Sequence, residues 1–105
     1  MVQAQYAREI NDILSDNVAR SPVFGLRSSL YLPGWTTAVK TGTTQNNIDG
    51  WCLGYTPSLV AGVWVGNNNN TPMAQSALNV AAPIWNAFMT QVLPKFPKEE
   101  FVKPY

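Results

Sequence analysis

The chain has 105 residues and a mass of 11.6 kDa, enough for one small domain or a piece of a larger one. Hydrophobic residues make up 46% and charged residues 12%, about half the usual charged share, and a net charge of +1 leaves no nucleic-acid footprint. The absence of histidine excludes His-based triads, and the single cysteine, Cys52, excludes an internal disulfide. Six scattered carboxylates argue against a protein metal site, no cofactor is implied, and no run reaches the length of a membrane span.

Gln3 to Asp16 predicts a helix, with Tyr6, Ile10, Ile13 and Leu14 on one face and Arg8, Glu9 and Asp12 opposite. Ser15-Asp16-Asn17 closes it with residue types that favour helix ends, and Ser21-Pro22 is expected to stop the helical segment. Val23 to Tyr31 reads as irregular, anchored by Phe24 and Leu26. A turn at Pro33-Gly34 precedes a first strand over Trp35 to Thr44, rich in β-branched residues. After a polar turn at Gln45-Asn46-Asn47, Gly50 to Tyr55 predicts a second strand. Trp51, Leu53 and Tyr55 share one of its faces, Cys52 and Gly54 the other. Thr56-Pro57-Ser58 makes a hairpin turn into a third strand, Leu59 to Gly66, apolar throughout and so expected to be covered on both faces. Asn67 to Asn70 reads as a loop. Ala82 to Leu93 predicts a helix with Pro83 in its first turn and Ile84, Trp85, Phe88, Met89 and Val92 as a broad apolar face. Pro94 and Pro97 end it, and residues 95–105 are expected to fray. The order gives an α+β fold: a three-stranded antiparallel sheet with N- and C-terminal helices packed on it, and a free edge on the third strand.

From Ser28 to Pro94 the only charged residues are Lys40 and Asp49. A middle so poor in charge is buried in this chain or against further chain. Lys40 therefore stands out, and Gly42 follows where it weakens a strand unless another backbone or a ligand comes close. Lys40 has two readings: a solvated lysine that guards an edge strand, or a cation that binds an anionic, peptide-like ligand beside the hydroxyls of Thr41, Thr43 and Thr44. Asp49 opens the second strand; it caps a turn or pairs with Lys40, and the turn is favoured. Cys52 reads as a small buried hydrophobe.

Val39-Lys40-Thr41-Gly42-Thr43-Thr44 resembles the Lys-Thr-Gly motif of penicillin-binding proteins and serine β-lactamases. The motif is followed by Asp49 to Pro57, Val60 to Asn67 and Ala81 to Trp85. That series, in that order, resembles the C-terminal part of the transpeptidase domain of class A (bifunctional) penicillin-binding proteins, over roughly Ile10 to Val92. The resemblance implies a five-stranded sheet in the intact domain, with two strands from chain upstream of Met1. It implies D,D-transpeptidation of peptidoglycan through a serine ester. Lys40 would supply charge beside the nucleophile, and Thr41 and Thr43 would bond the terminal carboxylate of a D-alanyl-D-alanine stem peptide or a β-lactam. Gly42 would let the peptide lie along the strand, and the Thr43 N–H would line the oxyanion hole. The Trp-rich strands after the motif disfavour a D,D-carboxypeptidase or β-lactamase relative.

The acylation chemistry needs a Ser-x-x-Lys nucleophile, and no serine in this chain has a lysine three residues on. Residues 1–105 are therefore expected to be a C-terminal fragment of a transpeptidase domain, inactive alone, whose partner is the missing upstream part of that domain. The parent is expected at the extracytoplasmic face of the bacterial membrane, anchored by segments outside this chain. Ser15-Asp16-Asn17 matches the family's Ser-x-Asn second motif but sits at a helix end just before the third-motif strand, and is taken as a coincidence. The alternative reading is a non-catalytic module that binds peptidoglycan peptides or a partner protein through the strand edge at Lys40 to Thr43.

Overall fold

A computed structural model describes all 105 residues. In chain order it contains α1 (Ala4–Ser15), α2 (Asn17–Phe24), β1 (Ala38–Thr43), a 3-10 turn at Gln45–Asn47, β2 (Asp49–Tyr55), β3 (Val60–Gly66), α3 (Ala77–Val92) and a 3-10 turn at Leu93–Lys95. The three strands form one antiparallel sheet in the order β1-β2-β3. This is the expected α+β class.

The register fixes the two faces. Val39, Thr41 and Thr43 stand opposite Gly54, Cys52 and Gly50, and these pair in turn with Ala61, Val63 and Val65. Directly opposed residues share a face, so all of these point to the side that α3 covers. Small residues on β2 let α3 come close. Trp85 lies directly over Gly54, and Ala77 sits against Gly50. Ala81, Ala82, Trp85 and Met89 are fully buried, joined in the core by Leu30, Val39 and Cys52.

Helix α3 begins five residues before the expected Ala82, so Pro83 lies inside it rather than in its first turn. Its buried stripe is Ala77, Ala81, Ala82, Trp85 and Met89, so Trp85 and Met89 of the expected face are buried while Ile84 and Phe88 are about half exposed. The three alanines, which the apolar pattern does not mark, let the helix approach the sheet closely on the side of Trp85 and Met89. Helix α2 was not foreseen, since Pro22 was expected to end the helical segment. The Asp16 carboxylate caps it by accepting the Ala19 N–H at 2.9 Å. Pro22 removes the N–H that would bond the Val18 carbonyl, and the Ser21 hydroxyl donates to that carbonyl at 2.7 Å instead. Gly25, at φ 85°, then ends the helix and returns its N–H to the Ser21 carbonyl. Phe24 packs against the core as expected, whereas Leu26 is exposed.

Strand β3 also departs from expectation. Only its Ala61, Val63 and Val65 side is packed; Val60 and Trp64 are 68% and 48% exposed. They share their face with the exposed Trp51 and Leu53, and no helix covers that part of the sheet. Residues 96–105 carry no regular secondary structure and lie against α1 and the end of β2. Phe101 meets Tyr55 edge-on at 5.6 Å, Gln5 donates to the Pro104 carbonyl at 2.8 Å, and Lys103 is 3.7 Å from Asp12.

Candidate functional site

Strand β1 is an edge strand, so one side of its backbone has no strand partner. Which residues face outward follows from the turn into β2. The Thr44 N–H donates to the Asp49 carbonyl at 3.0 Å, which makes Thr44 and Asp49 a hydrogen-bonded pair. Antiparallel ladders alternate, so Ala38, Lys40 and Gly42 turn their backbone groups towards β2. Val39, Thr41 and Thr43 turn theirs outward. The Thr43 N–H therefore points to the open edge, as does the Thr41 carbonyl. That carbonyl is held by the ammonium of Lys40 at 2.7 Å.

Side chains flank this edge on both faces. Lys40 and Gly42 lie on the face of Leu53 and Trp51, and Lys40 is exposed. Thr41 and Thr43 lie on the α3 face, which agrees with their expected placement on one side. The Thr43 Oγ1 accepts the Ala77 N–H, in the first turn of α3, at 3.2 Å. A hydroxyl keeps its own proton when it accepts, so Thr43 remains free to donate. Gly42 has no intramolecular reason to lack a side chain: an added Cβ would meet only the Trp51 Cβ, at an ordinary 3.9 Å.

Asp49 serves the turn. Its N–H donates to the Thr44 Oγ1 at 2.8 Å, the Thr44 hydroxyl lies 3.3 Å from its Oδ2, and the Trp64 indole donates to its Oδ1 at 3.0 Å. The one ion pair of the structure is Lys103–Asp12, so Lys40 has no carboxylate partner. Asn47, expected only as a turn residue, ties the β1–β2 turn to the approach of α3. At φ 58° it donates its amide to the carbonyls of Met73 and Gln75 at 2.7 and 3.1 Å, fixing the approach to α3. Its signal was the Asn46-Asn47 pair, since asparagine tolerates the left-handed region.

Beside the edge lies an apolar cavity of about 270 Å³, lined by Ile13, Leu14, Phe24, Leu30 and Val39 with Lys40 at its rim. Arg20 holds its wall. The guanidinium donates to the Leu14 carbonyl at 2.9 Å, to the Leu30 carbonyl at 3.4 Å and to the Asn17 Oδ1 at 3.1 Å. Burial lowers its pKa, and Asp16 pulls the other way. The Ser15-Asp16-Asn17 segment is used by the helix junction: Ser15 donates to the Asp12 carbonyl at 3.3 Å, Asp16 caps α2, and Asn17 donates to the Leu26 carbonyl at 2.8 Å. Cys52 is fully buried, and burial pushes its thiol up to about 12. It is a packing residue, as its sequence context implied.

The structure thus brings Lys40, Thr41, Gly42 and Thr43 to one free edge: a cation on one face, hydroxyls on the other, and an outward N–H between them. No family model and no solved structure matches the chain. Among curated proteins it is 37% identical to penicillin-binding protein 1A of Mycolicibacterium smegmatis over 112 residues, which covers 90% of the chain and 14% of that protein. It is 31% identical to penicillin-binding protein 1A of Pseudomonas aeruginosa over 106 residues, covering 99% of the chain and 12% of that protein. The same-named protein of Aquifex aeolicus is 41% identical over 69 residues, 64% of the chain and 10% of that protein. The chain spans only 10 to 14% of the length of these relatives.

Proposed function

We propose, from the premise that this chain belongs to the penicillin-binding protein family, that it carries the substrate-binding strand of a peptidoglycan D,D-transpeptidase. The observation that carries the proposal is the Thr43 N–H, directed at open solvent between Lys40 and the threonine hydroxyls. A stem peptide ending in D-alanyl-D-alanine, or a β-lactam in its place, lies along the β1 edge as an added strand. Its terminal carboxylate accepts hydrogen bonds from the hydroxyls of Thr41 and Thr43. It also draws Lys40 away from the Thr41 carbonyl, because a charged acceptor is stronger than a neutral one. The scissile carbonyl then sits where the Thr43 N–H meets the oxygen that gains charge during acylation. One such preorganised donor contributes about 3–4 kcal/mol to the transition state.

The nucleophilic serine lies outside these residues, since no Ser-x-x-Lys occurs among them. The parent works at the extracytoplasmic face of the bacterial membrane, held there by other segments; no helix of this chain is long and apolar enough to cross a membrane. The second reading is a module that binds peptidoglycan peptides or a partner protein at this edge without chemistry. A graft separates the two. This chain replaces its counterpart in penicillin-binding protein 1A of Mycolicibacterium smegmatis, and the hybrid is exposed to a fluorescent penicillin. The transpeptidase reading expects covalent labelling of the hybrid and none of the chain alone. A folded hybrid that takes no label, while the chain alone binds stem peptide, supports the module instead.

A further inference from the structure

Helix α3 does not cap itself. Ser76 precedes it in extended backbone, yet its hydroxyl takes none of the free N–H groups of the first turn. The Ala77 N–H is taken from across the fold instead, by the Thr43 Oγ1 at 3.2 Å. Ala77 is fully buried against Gly50, so this bond is closed to water. The Thr43 hydroxyl therefore has two tasks. Its oxygen accepts from the helix, so its proton points away from α3, on the exposed side of Thr43. The positive end of a 16-residue helix lies behind it, and a hydroxyl that accepts from such a donor gives its own proton more strongly to an anion.

What holds the Ala77 N–H in place is the chain before it. Residues 67–76 join β3 to α3 without helix or strand. Asn67 closes the first half of this connection on itself, donating to the Thr71 and Pro72 carbonyls at 3.0 and 3.2 Å. Asn47 fastens the second half to the β1–β2 turn. Its amide donates to the Met73 and Gln75 carbonyls, and its own carbonyl accepts the Met73 N–H at 2.7 Å. No other hydrogen bond ties residues 73–75 to the fold. We propose that Asn47 is a positioning residue for carboxylate recognition: by fixing residues 73–76 it aims the Ala77 N–H at the Thr43 hydroxyl, and so aims that hydroxyl's proton at the ligand. The ligand is the one the transpeptidase reading supplies, on which this rests; the relay from Asn47 to Thr43 lies wholly within the chain. Asparagine accepts the left-handed backbone at φ 58°, and its amide nitrogen carries the two protons that two carbonyls require. Aspartate accepts the same backbone but, ionised, has no proton to give.

Two measurements test this. In the full chain, amide exchange at Ala77 should quicken about tenfold in Asn47→Asp, which keeps the shape of the side chain but turns its donors into acceptors facing carbonyls. In the hybrid with the Mycolicibacterium smegmatis protein, acylation is followed with the fluorescent penicillin as its free acid and as its methyl ester. Asn47→Asp should cut the preference for acid over ester about tenfold, and should add nothing once Thr43→Val has removed the hydroxyl. Asn47→Gly, which keeps φ 58° accessible and deletes the amide, replaces Asn47→Asp should that variant fail to fold. Unchanged exchange at Ala77 in a folded variant would overturn the proposal. So would equal slowing of acid and ester, or a further loss on top of Thr43→Val, since either marks a merely structural role. Lys40→Ala tells the two failures apart. If it abolishes the preference for acid and Asn47→Asp does not, only the role of Asn47 falls; if neither changes the preference, the transpeptidase reading falls with it.

Discussion

Gly54→Ala tests how the sheet is held beneath α3. A Cβ at this position would lie 2.3, 2.6 and 2.9 Å from three indole atoms of Trp85, all inside the closest approach that carbon atoms tolerate. Trp85 is fully buried on a helix whose neighbouring Ala81, Ala82 and Met89 are also fully buried, so the ring has nowhere to retreat. Relief must come from β2, which pairs through Gly54 with Val39 on one side and Ala61 on the other. Overpacking of this kind costs about 1–3 kcal/mol, and the absence of a flexible neighbour puts this case at the upper end, a large part of the 5–15 kcal/mol that holds a typical domain. Gly42→Ala is the matched control, since its added Cβ meets only one carbon at 3.9 Å. It should leave stability unchanged or raise it by about 0.4–1 kcal/mol through the unfolded chain. Urea unfolding followed by tryptophan fluorescence reads both. Equal midpoints for the two variants would refute the argument that close packing sets one glycine and an outside ligand the other.

In the penicillin-labelled hybrid, Lys40→Ala should slow acylation by orders of magnitude. Ser15→Ala should change it little, because Ser15 makes only a hydrogen bond to the Asp12 carbonyl at the end of α1, worth about 1 kcal/mol; equal losses would show that Ser15-Asp16-Asn17 belongs to the site. Cys52 should resist a thiol reagent at neutral pH unless urea is added, and rapid labelling of the folded chain would contradict its burial. Its thiol is raised from an ordinary 9.0 to about 12, so the unfolded chain loses this proton first as pH rises. The stability this confers should be whole below pH 9.0 and decline towards about 12, and Cys52→Ala should flatten that part of the pH profile.

The alternation of β2 was plain in the sequence because its small residues, Gly50, Cys52 and Gly54, all fall on one face. The residues of the site stood out for a related reason: a lysine and a glycine sit in a stretch that otherwise lacks charge and favours strands. The direction of the Thr43 N–H was not legible. It depends on register, and register depends on the Thr44–Asp49 pair at the turn. The start of α3 was hidden because alanine leaves no apolar periodicity and Pro83 imitates a first-turn signal. α2 was hidden because the hydroxyl of Ser21 relieves the loss at Pro22, a side-chain contact that no pattern of residue types announces. Strand β3 looked covered on both sides because every residue in it is apolar; that pattern cannot distinguish a buried face from one left open.

In the proposed function the outward edge of β1 receives a D-alanyl-D-alanine carboxylate between Lys40 and Thr43. Amide chemical shifts of the isolated chain, titrated with an N-acylated D-alanyl-D-alanine peptide, address it most directly. Shifts are expected to centre on Thr41 and Thr43, to weaken when the C-terminal carboxylate is amidated and to be lost in Lys40→Ala. Shifts spread evenly over the chain, or unchanged by amidation and by Lys40→Ala, would contradict it.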